Sequence, residues 1–176
     1  MRSLRNFRIG SNRLNSKIPS SFWSLKDILN LFSNALIGNL PMEISKLRAD
    51  VQLDLSGNQI SSNIPETIGS LTTLQTLSLA RNKLNGTIPT SLGEMVSLSF
   101  LDLSNNLLTG EIPDGEHFKN LTAQSFMHNE ALCGNPLLQS KILTGTLATI
   151  GYVAPEYGSK GIVSVKGDVH KKEAYR

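Results

Sequence analysis

A solenoid of stacked coils, each contributing one short parallel strand, is the fold class this sequence predicts. Three observations predict it. Asparagine recurs at Asn12, Asn34, Asn58, Asn82 and Asn106, each time inside the phrase apolar-x-apolar-x-x-Asn-x-apolar. The last three intervals are 24 residues and the first is 22. Behind each Asn an apolar residue, a glycine or serine, and an Ile-Pro or Leu-Pro pair return at fixed offsets, as in Leu84, Gly86, Ile88 and Pro89. A period of this length marks a repeat architecture whose units bury their apolar edges only against neighbouring units.

Each part of the repeat has a physical reason. Alternate strand residues face opposite ways, so Leu77 and Leu79 are expected inside and Thr76 and Ser78 outside. The chain then turns sharply, leaving backbone N–H and C=O groups without ladder partners. A buried carboxamide offers both a donor and an acceptor, so a column of Asn residues can bridge those groups from coil to coil; a carboxylate could not donate. The glycine admits backbone angles costly to other residues, and the proline sets an extended bend. The pattern is that of a leucine-rich-repeat solenoid, an α/β-type right-handed superhelix. Short parallel strands line its concave face and 3-10 or irregular segments its convex side. Residues 1–116 hold five repeats, the first incomplete and the second two residues short. Leu4, Phe7, Ile9, Leu14 and Ile18 fill the inward template of the first repeat. In the later ones Leu53, Leu55, Leu101 and Leu103 do so. Two serines, Ser16 and Ser62, stand where the template has glycine.

The outward strand positions fall into three columns. One holds Asn6, Ile28, Gln52, Thr76 and Phe100; the next Arg8, Asn30, Asp54, Ser78 and Asp102; the third Gly10, Phe32, Ser56, Ala80 and Ser104. Mixed polar columns with a few aromatics and charges suit a protein or peptide ligand, because aromatics and Arg are enriched at binding hot spots. The candidate binding face is therefore Arg8, Asn30, Phe32, Gln52, Asp54, Thr76, Ser78, Phe100 and Asp102. Phe100 is expected to be exposed, since its repeat is intact. For Phe32 two placements stand: exposed, or turned inward by the two-residue deletion.

Composition narrows the function classes. A net charge of +3 over 176 residues is too mild to imply nucleic-acid binding. No run reaches the 18 or more apolar residues that span a bilayer, and Met1–Arg8 has no apolar stretch of a secretory signal. Read from this alone, the cytoplasm, or no assignable location, is the expectation. The single cysteine, Cys133, has no His or Cys at metal-ligand spacing, and no metal site is expected. Two Asn-x-Thr tripeptides, at Asn85 and Asn120, are candidate glycosylation acceptors should the chain enter the secretory pathway.

The phrase Leu-x-Gly-x-Ile-Pro, complete in Leu84–Pro89 and Leu108–Pro113, resembles the extracellular repeats of plant leucine-rich-repeat receptor-like kinases. Residues 117–139 carry Phe118, Phe126, Asn129, Leu132, Cys133, Gly134 and Pro136, and look like the C-terminal cap of those ectodomains. In that family a second cysteine follows and pairs with the equivalent of Cys133; here none follows. Residues 140–176 resemble another part of the same receptors, a piece of the kinase C-lobe. Thr149, Gly151, Tyr152, Ala154, Pro155 and Glu156 match the end of an activation segment with its Ala-Pro-Glu element, and Asp168 sits in the lead-in to the central helix. About 37 residues are too few to enclose a kinase core, so a poorly ordered tail is expected there. The join of these two regions implies a truncated receptor, as a shortened gene model or splice form would produce.

The resemblance implies a plasma-membrane receptor with extracellular repeats, acting in ligand perception and signalling in defence or development. A protein or peptide ligand and a co-receptor are the implied partners. ATP and Mg belong to the intact family only. No cofactor and no catalytic residue are expected in this chain, because the Gly-rich loop, the ATP lysine, the catalytic Asp and the metal-binding Asp of phosphoryl transfer are all missing from its sequence. Two other readings stand beside the binding module: a serine/threonine kinase by parentage, and an inhibitor similar to polygalacturonase-inhibiting proteins.

Overall fold

The computed structural model of the protein describes residues 6–24, 26–115, 118, 121–134 and 163–164. Two sheets form the solenoid. The strands that precede the repeating Asn are β1 (Asn6–Arg8), β2 (Lys26–Asn30), β4 (Arg48–Asp54), β6 (Thr76–Ser78) and β8 (Phe100–Asp102), paired in that order and all parallel. This is the concave sheet. A second sheet, which the repeat pattern did not announce, is built from the segments just after the Asn: β3 (Ile37–Asn39), β5 (Gln59–Asn63), β7 (Lys83–Gly86), β9 (Leu107–Glu111) and β10 (Ala131–Gly134). These strands are parallel too, and β11 (Val163–Ser164) adds antiparallel to β10.

Between the second sheet and the next concave strand each coil makes one 3-10 turn, at Ser20–Ser24, Met42–Lys46, Glu66–Ser70 and Thr90–Glu94. Proline precedes each, in extended backbone at Pro41 and at Pro65, the latter with φ −73° and ψ 142°. Its carbonyl accepts the first turn bond, from Ile68 N–H at 3.0 Å. A residue without an N–H loses nothing at this position. Side-chain hydroxyls then tie neighbouring turns together: Thr67 Oγ1 donates to the Met42 carbonyl at 3.0 Å, and Ser91 Oγ to that of Glu66 at 2.8 Å.

The core runs the length of the stack. Leu29, Leu53, Leu77 and Leu101 share one register row and are buried, as are Leu31, Leu55, Leu79 and Leu103 in the next. The first coil departs from the expected pattern. Leu14, placed inward by the repeat template, is 38% exposed, and Phe7, Ile9 and Ile18 are only half-buried. No coil precedes them among the described residues, so each packs on one side only. Trp23, in the first 3-10 turn, is fully buried, and Phe22 beside it meets Phe7 edge-on at 4.9 Å.

The two-residue deletion is absorbed before the strand proper. Lys26 lies opposite Arg48 and Ile28 opposite Gln52, so two steps along β2 face four along β4, an irregularity that leaves Leu29 and Asn30 in phase with Leu53 and Asp54. At the far end the stack closes through aromatic packing. Phe118 is buried against Phe126 at 6.0 Å between ring centroids, and a Cβ on Gly93 would come within 2.9 Å of the Phe118 ring.

Candidate functional site

The Asn column is a continuous hydrogen-bond ladder. Asn82 Nδ2 donates to the carbonyls of Leu55 (3.0 Å), Leu79 (3.0 Å) and Ala80 (3.2 Å), while its Oδ1 accepts from Ile60 N–H at 3.0 Å. The same exchange recurs at Asn58 with Leu31, Leu55, Ser56 and Leu36. It recurs at Asn106 with Leu79, Leu103, Ser104 and Leu84. Asn34, half-buried, makes it with Ile9, Leu31, Phe32 and Leu14. Asn12 differs from the expected ladder residue. It is exposed and donates only within its own coil, to Ile9 at 3.1 Å and Gly10 at 2.9 Å, because no earlier described coil offers it a partner.

A further rung escaped the sequence reading. Asn129 is buried, donates to Leu103 (3.0 Å), Phe126 (2.9 Å) and Met127 (3.4 Å), and accepts from Leu108 N–H at 3.1 Å. The available signal was its place 23 residues after Asn106, with Leu132 following. Equally unforeseen is a conformational column one residue before each Asn. Ser11, Ser33, Gly57, Arg81, Asn105 and His128 all have φ between 50° and 65°. From Asn34 onward the left-handed turn there aims the carboxamide into the stack.

The concave face carries the predicted columns in register. Ile28, Gln52, Thr76 and Phe100 are successive Cα partners, and so are Arg8, Asn30, Asp54, Ser78 and Asp102. Phe100 is 50% exposed and Arg8 is exposed; Gln52, Asp54, Thr76, Ser78, Asp102 and Asn30 are half-buried. Phe32 resolves to the outward alternative. It is 37% exposed, and its ring lies over Gly10, where an added Cβ would come within 2.2 Å of it. Ala80, in the same outward column as Phe32, is nevertheless buried, its methyl being too short to rise above the flanking coils.

Two of the acidic candidates have a structural duty as well. One oxygen of Asp54 accepts from Ser56 N–H at 3.0 Å and from Ser56 Oγ at 2.7 Å, and Asp102 accepts from Ser104 N–H at 3.0 Å. These are local turn bonds of the kind Asp side chains make two residues on. They fix each carboxylate on the face with its second oxygen outside those bonds. The face is thus a floor of Ser and Thr with two immobilised carboxylates and two aromatic posts, one on β8 and one just beyond β2.

Among the described residues there is no group of three or more His, Cys, Asp or Glu able to hold a metal, and no helix long and apolar enough to cross a membrane. Cys133 is a half-buried free thiol in β10. Asn85 is exposed on β7, whereas Asn120 lies outside the described residues. So do Thr149, Gly151, Tyr152, Ala154, Pro155, Glu156 and Asp168.

Ladder, paired sheets and coil-by-coil core define a leucine-rich-repeat solenoid, and two family models described as leucine rich repeat match residues 51–108 and 3–25. Among curated proteins none matches the chain in sequence. Among solved structures, a chain of the BIR3–SERK2 complex from Arabidopsis thaliana is 34% identical with a TM-score of 0.65, over 73% of this chain and 69% of that one. The BIR2 ectodomain from Arabidopsis thaliana is 32% identical with a TM-score of 0.67, over 74% of this chain and 69% of that one. The Arabidopsis receptor kinase HAESA, solved with the peptide hormone IDA and the co-receptor SERK1, is 31% identical with a TM-score of 0.68, over 81% of this chain but 23% of that one. The chain belongs to the plant leucine-rich-repeat receptor-like family, and its solenoid is of the ectodomain kind.

Proposed function

We propose that the chain is a recognition module that holds a protein or peptide partner on its concave face, as the ligand-sensing part of a receptor displayed outside the cell. The observation that carries the reading is the registered face itself. Phe32 and Phe100 stand exposed beside Asp54 and Asp102, whose orientation is set in advance by their own turns. Preorganised side chains lose little freedom on binding, which favours affinity. Related ectodomains have been solved with peptide hormones and co-receptors, which supports a partner of that class here.

The test is selection of peptides from a displayed random library against the full chain. Binders to this face lose at least about tenfold in affinity, roughly 1.4 kcal/mol, on Phe100→Ala or Asp102→Ala. They are unaffected by Leu107→Ser on the second sheet. Binders indifferent to the concave substitutions overturn the reading.

The same proposal assigns no phosphoryl transfer to this chain, since its sequence lacks the residues that position phosphates and metal. Purified chain incubated with labelled ATP and a generic protein substrate is expected to give no turnover above a blank. Turnover abolished by Asp168→Asn would reverse that assignment.

A further inference from the structure

We propose that Asn85 is an N-glycan acceptor and that its glycan covers Leu107 on the flank of the second sheet. The proposal rests on the extracellular reading above. Asn85 is exposed on β7, the middle residue of a cross-strand row whose Cα partners are Asn63 on β5 and Leu107 on β9. Among the described residues no group hydrogen-bonds its carboxamide, in contrast to the fully engaged amides of Asn58, Asn82 and Asn106. The two residues that complete the acceptor tripeptide are also placed for it. Gly86 has φ +74°, and a Cβ there would lie 2.7 Å from Asn63 Oδ1; Thr87 is exposed.

Leu107 is the second observation. It is 59% exposed at the repeat position, one residue after the ladder Asn, that Gln59 and Lys83 hold in the two preceding coils, where those two hydrogen-bond each other at 3.2 Å. An isolated exposed Leu needs no explanation by itself. Here it is the direct cross-strand partner of the acceptor Asn, and both residues are exposed.

The reaction balances with one co-reactant, an oligosaccharide carried on a polyprenyl pyrophosphate by the host transferase. Asn85 Nδ2 forms a bond to sugar C1 and the C1–O bond to phosphate breaks. The lipid pyrophosphate leaves with that electron pair, and one amide proton passes to a base of the transferase. Nothing is oxidised or reduced.

To test it, the full chain is translated behind a cleavable signal peptide in the presence of microsomes. Signal cleavage and protection from added protease report entry independently of the chain's native location or partner, so failure here and failure of the receptor reading are separate results. Mass mapping of the translocated chain is expected to find a glycan on Asn85 that disappears with Asn85→Gln and with Thr87→Ala. In a Cys133→Ser background, Leu107→Cys is expected to react with a maleimide several-fold more slowly before glycosidase treatment than after. An unmodified Asn85 on a translocated, signal-cleaved chain overturns the acceptor assignment, and equal labelling rates overturn the covering of Leu107.

Discussion

The backbone N–H of Ile60 donates to Oδ1 of Asn82 at 3.0 Å, across the boundary between one coil and the next. Ile60 lies in β5 of the second sheet, in register with Gly38, while Asn82 stands in the turn that leaves the concave sheet. The carboxamide stands in for a missing piece of backbone. Leaving a buried donor or acceptor unsatisfied costs about 1–3 kcal/mol, and Asn82 serves the carbonyls of Leu55 and Leu79 and the N–H of Ile60, with a longer contact to the Ala80 carbonyl, which also accepts from Gly57 N–H.

Asn82→Ala is therefore expected to destabilise by at least about 3 kcal/mol. Asn82→Asp is expected to cost more, since a carboxylate would face the carbonyls of Leu55, Leu79 and Ala80. Asn12→Ala removes bonds that are exposed and confined to one coil, and is expected to cost less than about 1 kcal/mol. Urea midpoints of the three variants check this, and equal shifts for Asn12→Ala and Asn82→Ala would contradict the ladder as a gradient of burial.

The ladder was legible because Asn, Leu and Pro repeat in phase and each has a distinct chemical reason to be there. The outward columns were legible for a related reason, strand side chains alternating with period two. What stayed hidden lacked a shared chemistry. Ser11, Ser33, Gly57, Arg81, Asn105 and His128 have one backbone conformation and almost nothing else in common. Leu-x-Gly reads as a turn as readily as a strand, so β7 and β9 were not foreseen. The dual use of Asp54 and Asp102 did leave a trace, Asp-Leu-Ser in both coils, whose meaning needed the turn geometry. For Phe32 the length of the gap was visible but not its location, and only the irregular pairing of β2 with β4 settles the register.

Ser62 occupies the position that Gly38, Gly86 and Gly110 take in other coils, and has φ +80°. A side chain in this region costs about 1–2 kcal/mol, while glycine gives back roughly 0.5–1 kcal/mol in unfolded-state entropy. Ser62→Gly is expected to stabilise by about 0.5–1 kcal/mol. Ser16, the other serine in a glycine place, is not at positive φ, so Ser16→Gly is expected to give no gain. Thermal midpoints measured side by side decide it, and a gain at Ser16 matching that at Ser62 would contradict the strain argument.

Leu103 is fully buried, and its N–H donates to the Ser125 carbonyl at 2.7 Å, joining the last strand of the concave sheet to the closing segment. Leu103→Ala is expected to cost roughly 2–5 kcal/mol, because packed neighbours on both sides cannot collapse into the gap. Leu103→Asp would bury an unpaired carboxylate and is expected to abolish cooperative unfolding. An unchanged urea midpoint for Leu103→Asp would refute the inward placement.

Closure of the stack can be tested through one contact. A Cβ on Gly93 would lie 2.9 Å from Phe118 Cε2 and 3.2 Å from the Asp114 carbonyl. Gly93→Ala is thus expected to cost about 1–3 kcal/mol by overpacking. Phe118→Ala, which opens the core end, is expected to cost about 3–5 kcal/mol. In the Phe118→Ala background the first penalty should shrink by about 1 kcal/mol, because the ring that the new methyl strikes is gone while the Asp114 carbonyl remains. A double-mutant cycle in urea reads that coupling directly. Additivity within about 0.3–0.5 kcal/mol would mean that Gly93 is kept small for the backbone beside it, and that Phe118 seals the solenoid without resting on that coil.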